Sequence, residues 1–184
     1  MATTFKNVIS SELGSTPKIV YTSAGNARVT IIGISFSNLT AGFVTASVYI
    51  TDPQPSGTFT ANTDSVTTPT VLANVSSFNN VSVGASLAGD GIPSNTTVVS
   101  FDETAKTITM NNAATATATG VTVTFISTVP VSAYYLKDAV VPPNQSLRVV
   151  NGGERLVLGS LNNLVVVTNT DASCDAIISL VEIV

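Results

Sequence analysis

The chain holds no histidine. A Ser-His-Asp or Cys-His relay therefore has no imidazole to carry the proton, and His-containing zinc sites are excluded on the same ground. The one cysteine, Cys174, has no partner for an internal disulfide and cannot build a thiolate metal site. With no imidazole to activate it, it is expected to be a small buried apolar residue. Two groups of carboxylates remain. Asp102 and Glu103 are the adjacent acidic pair, and glycoside hydrolysis needs two carboxyls about 5–10 Å apart in a cleft. They run into Thr104-Ala105-Lys106, so a hairpin turn with solvated charges is expected there instead. Asp171 and Asp175 flank Ala172-Ser173-Cys174, and with backbone oxygens they would suit Ca²⁺. The Asp/Asn spacing and Gly of a dedicated calcium loop are missing. No phosphate-binding G-x-x-x-x-G-K-[ST] and no dinucleotide G-x-G-x-x-G after a strand is present. The sequence thus names no catalytic residue, no cofactor-binding residue and no metal ligand. The chain is expected not to be an enzyme and to need no cofactor.

What remains are side chains suited to contact. Aromatic residues make up 6%, with no Trp, which supplies a stacked-sugar platform poorly. Tyr134 and Tyr135 are adjacent, so on a strand they face opposite sides. One then packs inward and the other becomes an interface anchor, since Tyr buries a large area at low entropic cost. Near the start, Phe5, Val8, Ile9 and Leu13 put four apolar side chains in a segment without local strand partners. A free apolar arm is unusual in a monomer. The segment is expected to pack on a neighbouring subunit, in preference to folding back on its own sheet. Phe5, Val8, Ile9, Leu13, Tyr134 and Tyr135 are accordingly the residues expected at an oligomer or docking interface.

Composition points the same way. Of 184 residues, 44% are hydrophobic and only 10% charged, against a usual ~25% charged. Hydroxyls and amides must supply the polar surface, and few full charges need desolvation when such a surface meets a neighbour. The net charge is −4 with seven scattered Lys and Arg, so binding to nucleic acid by phosphate neutralisation is not expected. No apolar run reaches the ~20 residues that span a bilayer, and no membrane partner is expected. The N-terminus, Met1-Ala2-Thr3-Thr4-Phe5-Lys6, lacks the apolar core of a secretory signal.

The elements that must position these residues are strands. Val44, Ala46, Val48 and Ile50 alternate with Thr45, Ser47, Tyr49 and Thr51. Ile32, Ile34 and Phe36 alternate with Gly33, Ser35 and Ser37, and Val121, Val123 and Phe125 with Thr122 and Thr124. Turn clusters punctuate the runs at Ala24-Gly25-Asn26, Asn38 to Gly42, Pro142-Pro143-Asn144 and Asn151-Gly152-Gly153. The best helical candidate is Asn7 to Leu13, one or two turns at most. Many short strands predict an all-β fold: an antiparallel β-sandwich core of jelly-roll or Ig-like type with a small β-rich inserted domain.

The domain boundaries expected are an N-terminal arm over 1–16, a discontinuous core over 17–56 and 129–184, and an inserted module over 57–128. The insert is rich in Thr, Ser, Asn and Ala, with Lys106 its one basic residue. Asp52-Pro53-Gln54-Pro55-Ser56-Gly57 and Ser127-Thr128-Val129-Pro130 mark the junctions, because proline cannot donate to a central ladder. The chain ends in the apolar run Ile177 to Val184, which is expected inside a sheet and not at its edge.

Two segments carry resemblances. Val83 to Val99 contains Gly89-Asp90-Gly91-Ile92-Pro93-Ser94-Asn95-Thr96-Thr97-Val98-Val99. It leads through Lys106-Thr107-Ile108-Thr109-Met110 to Ala113-Ala114-Thr115-Ala116-Thr117. This resembles a small G-x-G-I-P-type β-repeat found in phage structural proteins and bacterial surface proteins. Gly89 and Gly91 would supply positive φ, Pro93 the exit direction, and Val98 and Val99 the next strand. The outer halves resemble small virion proteins of tailed bacteriophages, especially those of cyanobacteria. That resemblance rests on Lys18 to Ser23, Val29 to Asn38, Ala46 to Ile50, Leu156-Val157-Leu158 and Ile177 to Ile183.

The resemblance implies a structural component located in a virion: a capsid decoration, neck or tail-associated protein. It would act by self-association and docking, with copies of itself, a trimer first, and with other virion proteins as partners. The alternative is a glycan- or receptor-binding tip domain of a tail fibre or surface adhesin.

Overall fold

The computed structural model describes residues 2–150 and 153–184, so part of the turn expected at Asn151-Gly152-Gly153 lies outside the described residues. The described residues form strands and turns with no helix. The chain divides into two compact units, residues 1–52 with 132–184, and residues 53–131.

The first unit is a two-sheet sandwich. Its strands are β1 (Thr3–Leu13), β2 (Lys18–Thr22), β3 (Arg28–Asn38) and β4 (Val44–Asp52), followed by β11 (Val131–Val141), β12 (Ser146–Val150), β13 (Leu156–Leu158), β14 (Asn163–Thr168) and β15 (Cys174–Ile183). One sheet has five strands in the order β1-β15-β3-β12, with β13 also on β3; the other has four in the order β11-β4-β14-β2. Period-two alternation explains the sandwich. Val29, Ile31, Ile34 and Phe36 of β3 meet Val44, Ala46 and Val48 of β4, with Leu164 and Val166 of β14 and Ala176, Ile178 and Leu180 of β15. All are buried, and each contributes about 1.5–3 kcal/mol of hydrophobic free energy if it is of Val, Leu, Ile or Phe size.

The apolar run at the end of the chain is inside its sheet: β15 lies between β1 and β3. Its partner on one side is the segment expected as an arm or a helical turn. That segment is instead an eleven-residue strand, antiparallel to β15 from Thr3↔Ile183 to Ser10↔Ala176, then through a bulge to Leu13↔Cys174. The partner is more than 160 residues away in sequence, which no local pattern could announce.

The second unit holds β5 (Ser56–Thr63), β6 (Val71–Leu72), β7 (Ser86–Gly89), β8 (Ile92–Asp102), β9 (Thr107–Met110) and β10 (Ala118–Ile126). They form one sheet in the order β5-β10-β7-β8-β9-β6. Its two ends meet: Asn62 and Ala73 exchange backbone hydrogen bonds of 2.7 and 3.0 Å, joining the end of β5 to the residue after β6. The sheet therefore closes around Phe59, Leu72, Ile108, Met110, Val123 and Phe125. β8 starts at Ile92, six residues before the Val98 expected from sequence. In the turn before it Gly91 has φ of +74°. Gly89 is needed for a different reason: a Cβ there would lie 2.8 Å from the carbonyl oxygen of Thr122.

Candidate docking surface

The outward face of the five-stranded sheet carries exposed apolar side chains that the core of the sandwich does not use. Register sets two rows across it. Phe5 pairs with Val181, Val181 with Thr30, and Thr30 with Val157. Ile9 pairs with Ile177, Ile177 with Ser35, and Ser35 with Arg148. Phe5 is 75% exposed and Ile9 73%, with Val157, Ile177 and Ile32 also exposed. Between the rows runs a polar strip in which the Ser179 hydroxyl donates to Asn7 Oδ1 at 2.8 Å. The sheet is bulged beside it, so that Ile32 has no partner across from Ser179-Leu180. Gly33 has no side chain to fill the gap, and a shallow depression of about 330 Å³ results, lined by Ile32, Gly33, Ser35, Arg148, Ile177 and Ser179.

The six expected interface residues divide. Phe5 and Ile9 stand together on this outward face. Leu13 is 1% exposed and belongs to the sandwich core, and Val8 packs against that core. Leu13 is thus a core residue of its own subunit, because the bulge after Ser10 turns the strand end inward over Cys174. Tyr134 and Tyr135 do face opposite sides. Tyr135 packs on the core and its hydroxyl donates to Glu154 Oε2 at 3.3 Å. Tyr134 is 56% exposed, beside Tyr49 with ring centroids 5.1 Å apart. Those rings are inclined by 53°, so they make no flat platform for a sugar. Lys137 Nζ lies 5.4 Å from the Tyr134 centroid. Sequence reading missed Ile32, Val157 and Ile177, which register with Phe5 and Ile9 brings into one surface.

Asp102, Asp171 and Asp175 are committed to the fold. Asp102 Oδ1 accepts from the backbone N–H groups of Thr104 and Ala105, at 2.8 and 2.9 Å, and so closes the β8–β9 turn. Asp171 Oδ1 accepts from the Ser15 hydroxyl and the Ser15 N–H, both at 2.7 Å, which hold its carboxyl below the usual range. Asp175 Oδ1 accepts from the N–H of Glu12 at 3.0 Å. Among the described residues no group of three or more acidic or cysteine side chains converges as metal ligands would. Cys174 is fully buried, and burial pushes its thiol up. Glu182 lies between the sheets, paired with Lys6 Nζ and accepting from the Tyr21 hydroxyl at 2.9 Å. The Lys6 hydrogen bond first and the Tyr21 one second hold its carboxyl low. Burial and the same carboxylate push Tyr21 up to about 12. A hydroxyl held that firmly protonated is a donor, which fits a structural clasp between β15, β1 and β2.

No protein-family model matches the chain, and no curated protein matches it. Among solved structures it is similar to VP17, a capsid protein of bacteriophage P23-77, with 8% identity and a TM-score of 0.24 over 99% of this chain and 97% of that one. It is also similar to the VP16-VP17 complex, a complex of the two major capsid proteins of the same bacteriophage. There the identity is 8% and the TM-score 0.19, over 98% of this chain and 99% of that one. Likeness this slight carries no argument about fold or role, so the functional reading rests on the residues.

Proposed function

We propose that this chain is a structural subunit of a bacteriophage virion, acting by association with copies of itself and with other virion proteins. The observation that carries the reading is the outward face of the five-stranded sheet. Phe5, Ile9, Ile32, Val157 and Ile177 are exposed together there, in a protein with 10% charged residues and no histidine. Scattered exposed apolar residues need no explanation, but several aligned on one sheet face mark an interaction surface. Asp102, Asp171 and Asp175, weighed above for catalysis or metal binding, are tied into turns and into contacts with the end of β1. The sequence resemblance to small virion proteins of tailed phages supplies the setting, as a capsid decoration, neck or tail-associated subunit.

The test is to locate the chain in purified, imaged particles. The reading predicts a fixed number of copies in ordered contact, with the sheet face covered. Its absence from particles, or release of sugars from a polysaccharide by the purified protein, would overturn it.

A further inference from the structure

We propose that β1 pairs antiparallel with β1 of a second copy of this chain, about a two-fold axis at Asn7. The proposal rests on the self-association reading above and deepens it by naming the strand, the register and the symmetry.

The backbone of β1 turns alternate residues away from its own sheet. Ala2 and Val184 exchange both hydrogen bonds, N to O at 3.0 Å and back at 3.1 Å. In an antiparallel ladder such pairs alternate with pairs that exchange none. Thr4, Lys6 and Val8 therefore bond β15, and the N–H and C=O groups of Thr3, Phe5, Asn7 and Ile9 point away from it. β1 is the end strand of its sheet, so these groups form an open row along the edge.

Up to its bulge after Ser10, this edge lacks the protections the other edges carry. Natural edges are blunted by shortness, proline, bulges or charge. β2 has five residues and begins at Lys18; β12 and β13 have five and three. β11 is long, but Pro130 and Pro142 bracket it, and Asp138 breaks it with φ of +51° and an N–H donated to Ser47 Oγ at 2.9 Å. β1 runs eleven residues, and its one cation before the bulge, Lys6, is paired with Glu182. Only the far end is closed, where Lys18 Nζ donates to the Ser11 carbonyl at 3.2 Å.

The side chains along the edge fix the register. Bonded pairs form between residues that both face the edge, so the two-fold axis can fall on any residue from Phe5 to Ile9. Centring on Lys6 sets Lys6 against itself, and like charges directly opposite are destabilising. Centring on Val8 sets Phe5, in the middle of the ladder, against Ser11, whose carbonyl Lys18 occupies, whereas centring on Asn7 moves that lost bond out to Thr3 at the end of the strand. Centring on Ile9 sets Phe5 against Leu13, beyond the bulge. Centring on Phe5 pairs Thr3 with Asn7 and carries Ile9 past Thr3, where the strand begins. Asn7 remains: Phe5 then meets Ile9 of the second copy, Ile9 meets its Phe5, and the two Asn7 side chains face each other. The Phe5–Val181 row of one copy continues into the Ile9–Ile177 row of the other. Pairing of a strand with itself closes at two copies, so the expected unit is a dimer in place of the trimer anticipated from sequence.

Light scattering on the full chain tests this together with two variants. The wild type is expected at twice 18.8 kDa. Asn7→Pro removes an N–H that points away from β15, so β1 stays in its own sheet while the dimer dissociates about tenfold or more readily, the effect of losing central ladder bonds. Asn7→Cys should join two copies through a short bifunctional thiol reagent. Phe5→Cys should not, since the two Phe5 positions would stand about 13 Å apart along the strands. A trimer, a dimer indifferent to Asn7→Pro, or equal cross-linking at Phe5 and Asn7 would overturn the pairing while leaving self-association standing. A single chain at every concentration would overturn both.

Discussion

The two units meet the same problem, what to do with the ends of a sheet, and answer it differently. In the 53–131 unit one six-stranded sheet curls until Asn62 bonds Ala73, and every strand has a neighbour on each side. In the sandwich two sheets stack and four edges remain. Closure abolishes edges, whereas stacking leaves them to be blunted or filled. The closed unit joins its two end strands to each other, and the sandwich leaves β1 as an end strand. On the pairing proposed above, the sandwich is the part that meets other chains and the barrel is not.

Core truncations set the largest scale for that contrast. Phe36→Ala, at a fully buried position between the sandwich sheets, should lower stability by about 3–5 kcal/mol, and Ile108→Ala in the barrel by about 2–5 kcal/mol. Denaturant melts give the size, and light scattering on the surviving folded protein gives the contrast. Ile108→Ala should leave association intact, while Phe36→Ala, which loosens the sheet that carries β1, should weaken it. Equal weakening by both would break the division.

A smaller effect is expected at Asn38. Its buried side chain donates to the carbonyls of Gly42, Val141 and Pro142 at 2.8, 3.0 and 3.1 Å, and accepts from the Thr40 N–H at 2.8 Å. Asn38→Ala strands those carbonyls and should cost about 1–3 kcal/mol, read by thermal or urea unfolding of the sandwich, with the barrel signal unchanged.

The smallest effects are electrostatic and separate the units by residue. Glu182 in the sandwich is held below its ordinary value of 4.5 by Lys6 and Tyr21, and Asp64 in the barrel below its ordinary 3.8 by the N–H groups of Val66 and Thr67. A lowered folded pKa gives stability that is present in full above the ordinary value and is lost as pH falls through the lowered one. Acid melts below about pH 4.5 should therefore flatten with Glu182→Gln for the sandwich and with Asp64→Asn for the barrel. Crossed effects would show that the units do not titrate separately.

Much of the sandwich was legible because its inner strands alternate cleanly. From sequence, strands are expected over Lys18 to Thr22, Arg28 to Ser37, Phe43 to Thr51 and Asn163 to Thr168. The first and last coincide with β2 and β14, and the bounds of β3 and β4 differ by a residue. A strand is expected over Val131 to Leu136, and β11 runs five residues further, with Asp138 at φ of +51° where the alternation breaks. β1 was not legible. Its inward positions carry Lys6 and Ser10 among the apolar residues, so its pattern mixes faces, and its partner lies at the other end of the chain. For the same reason Phe5 and Ile9 could be named as contact residues, but Ile32, Val157 and Ile177 could not be joined to them before the register was known. The closing contact of the barrel is two backbone bonds between Asn62 and Ala73, which no side-chain pattern encodes.

Amide exchange measured at rising protein concentration tests the central claim most directly. If the open edge of the sandwich is where copies meet, the amides of Phe5, Asn7 and Ile9 exchange fast in dilute solution and slow together as concentration rises. Those of Lys6 and Val8 are slow throughout, and the barrel amides do not respond. Exchange at Phe5, Asn7 and Ile9 that stays fast at every concentration, or slowing confined to the barrel, would contradict the account.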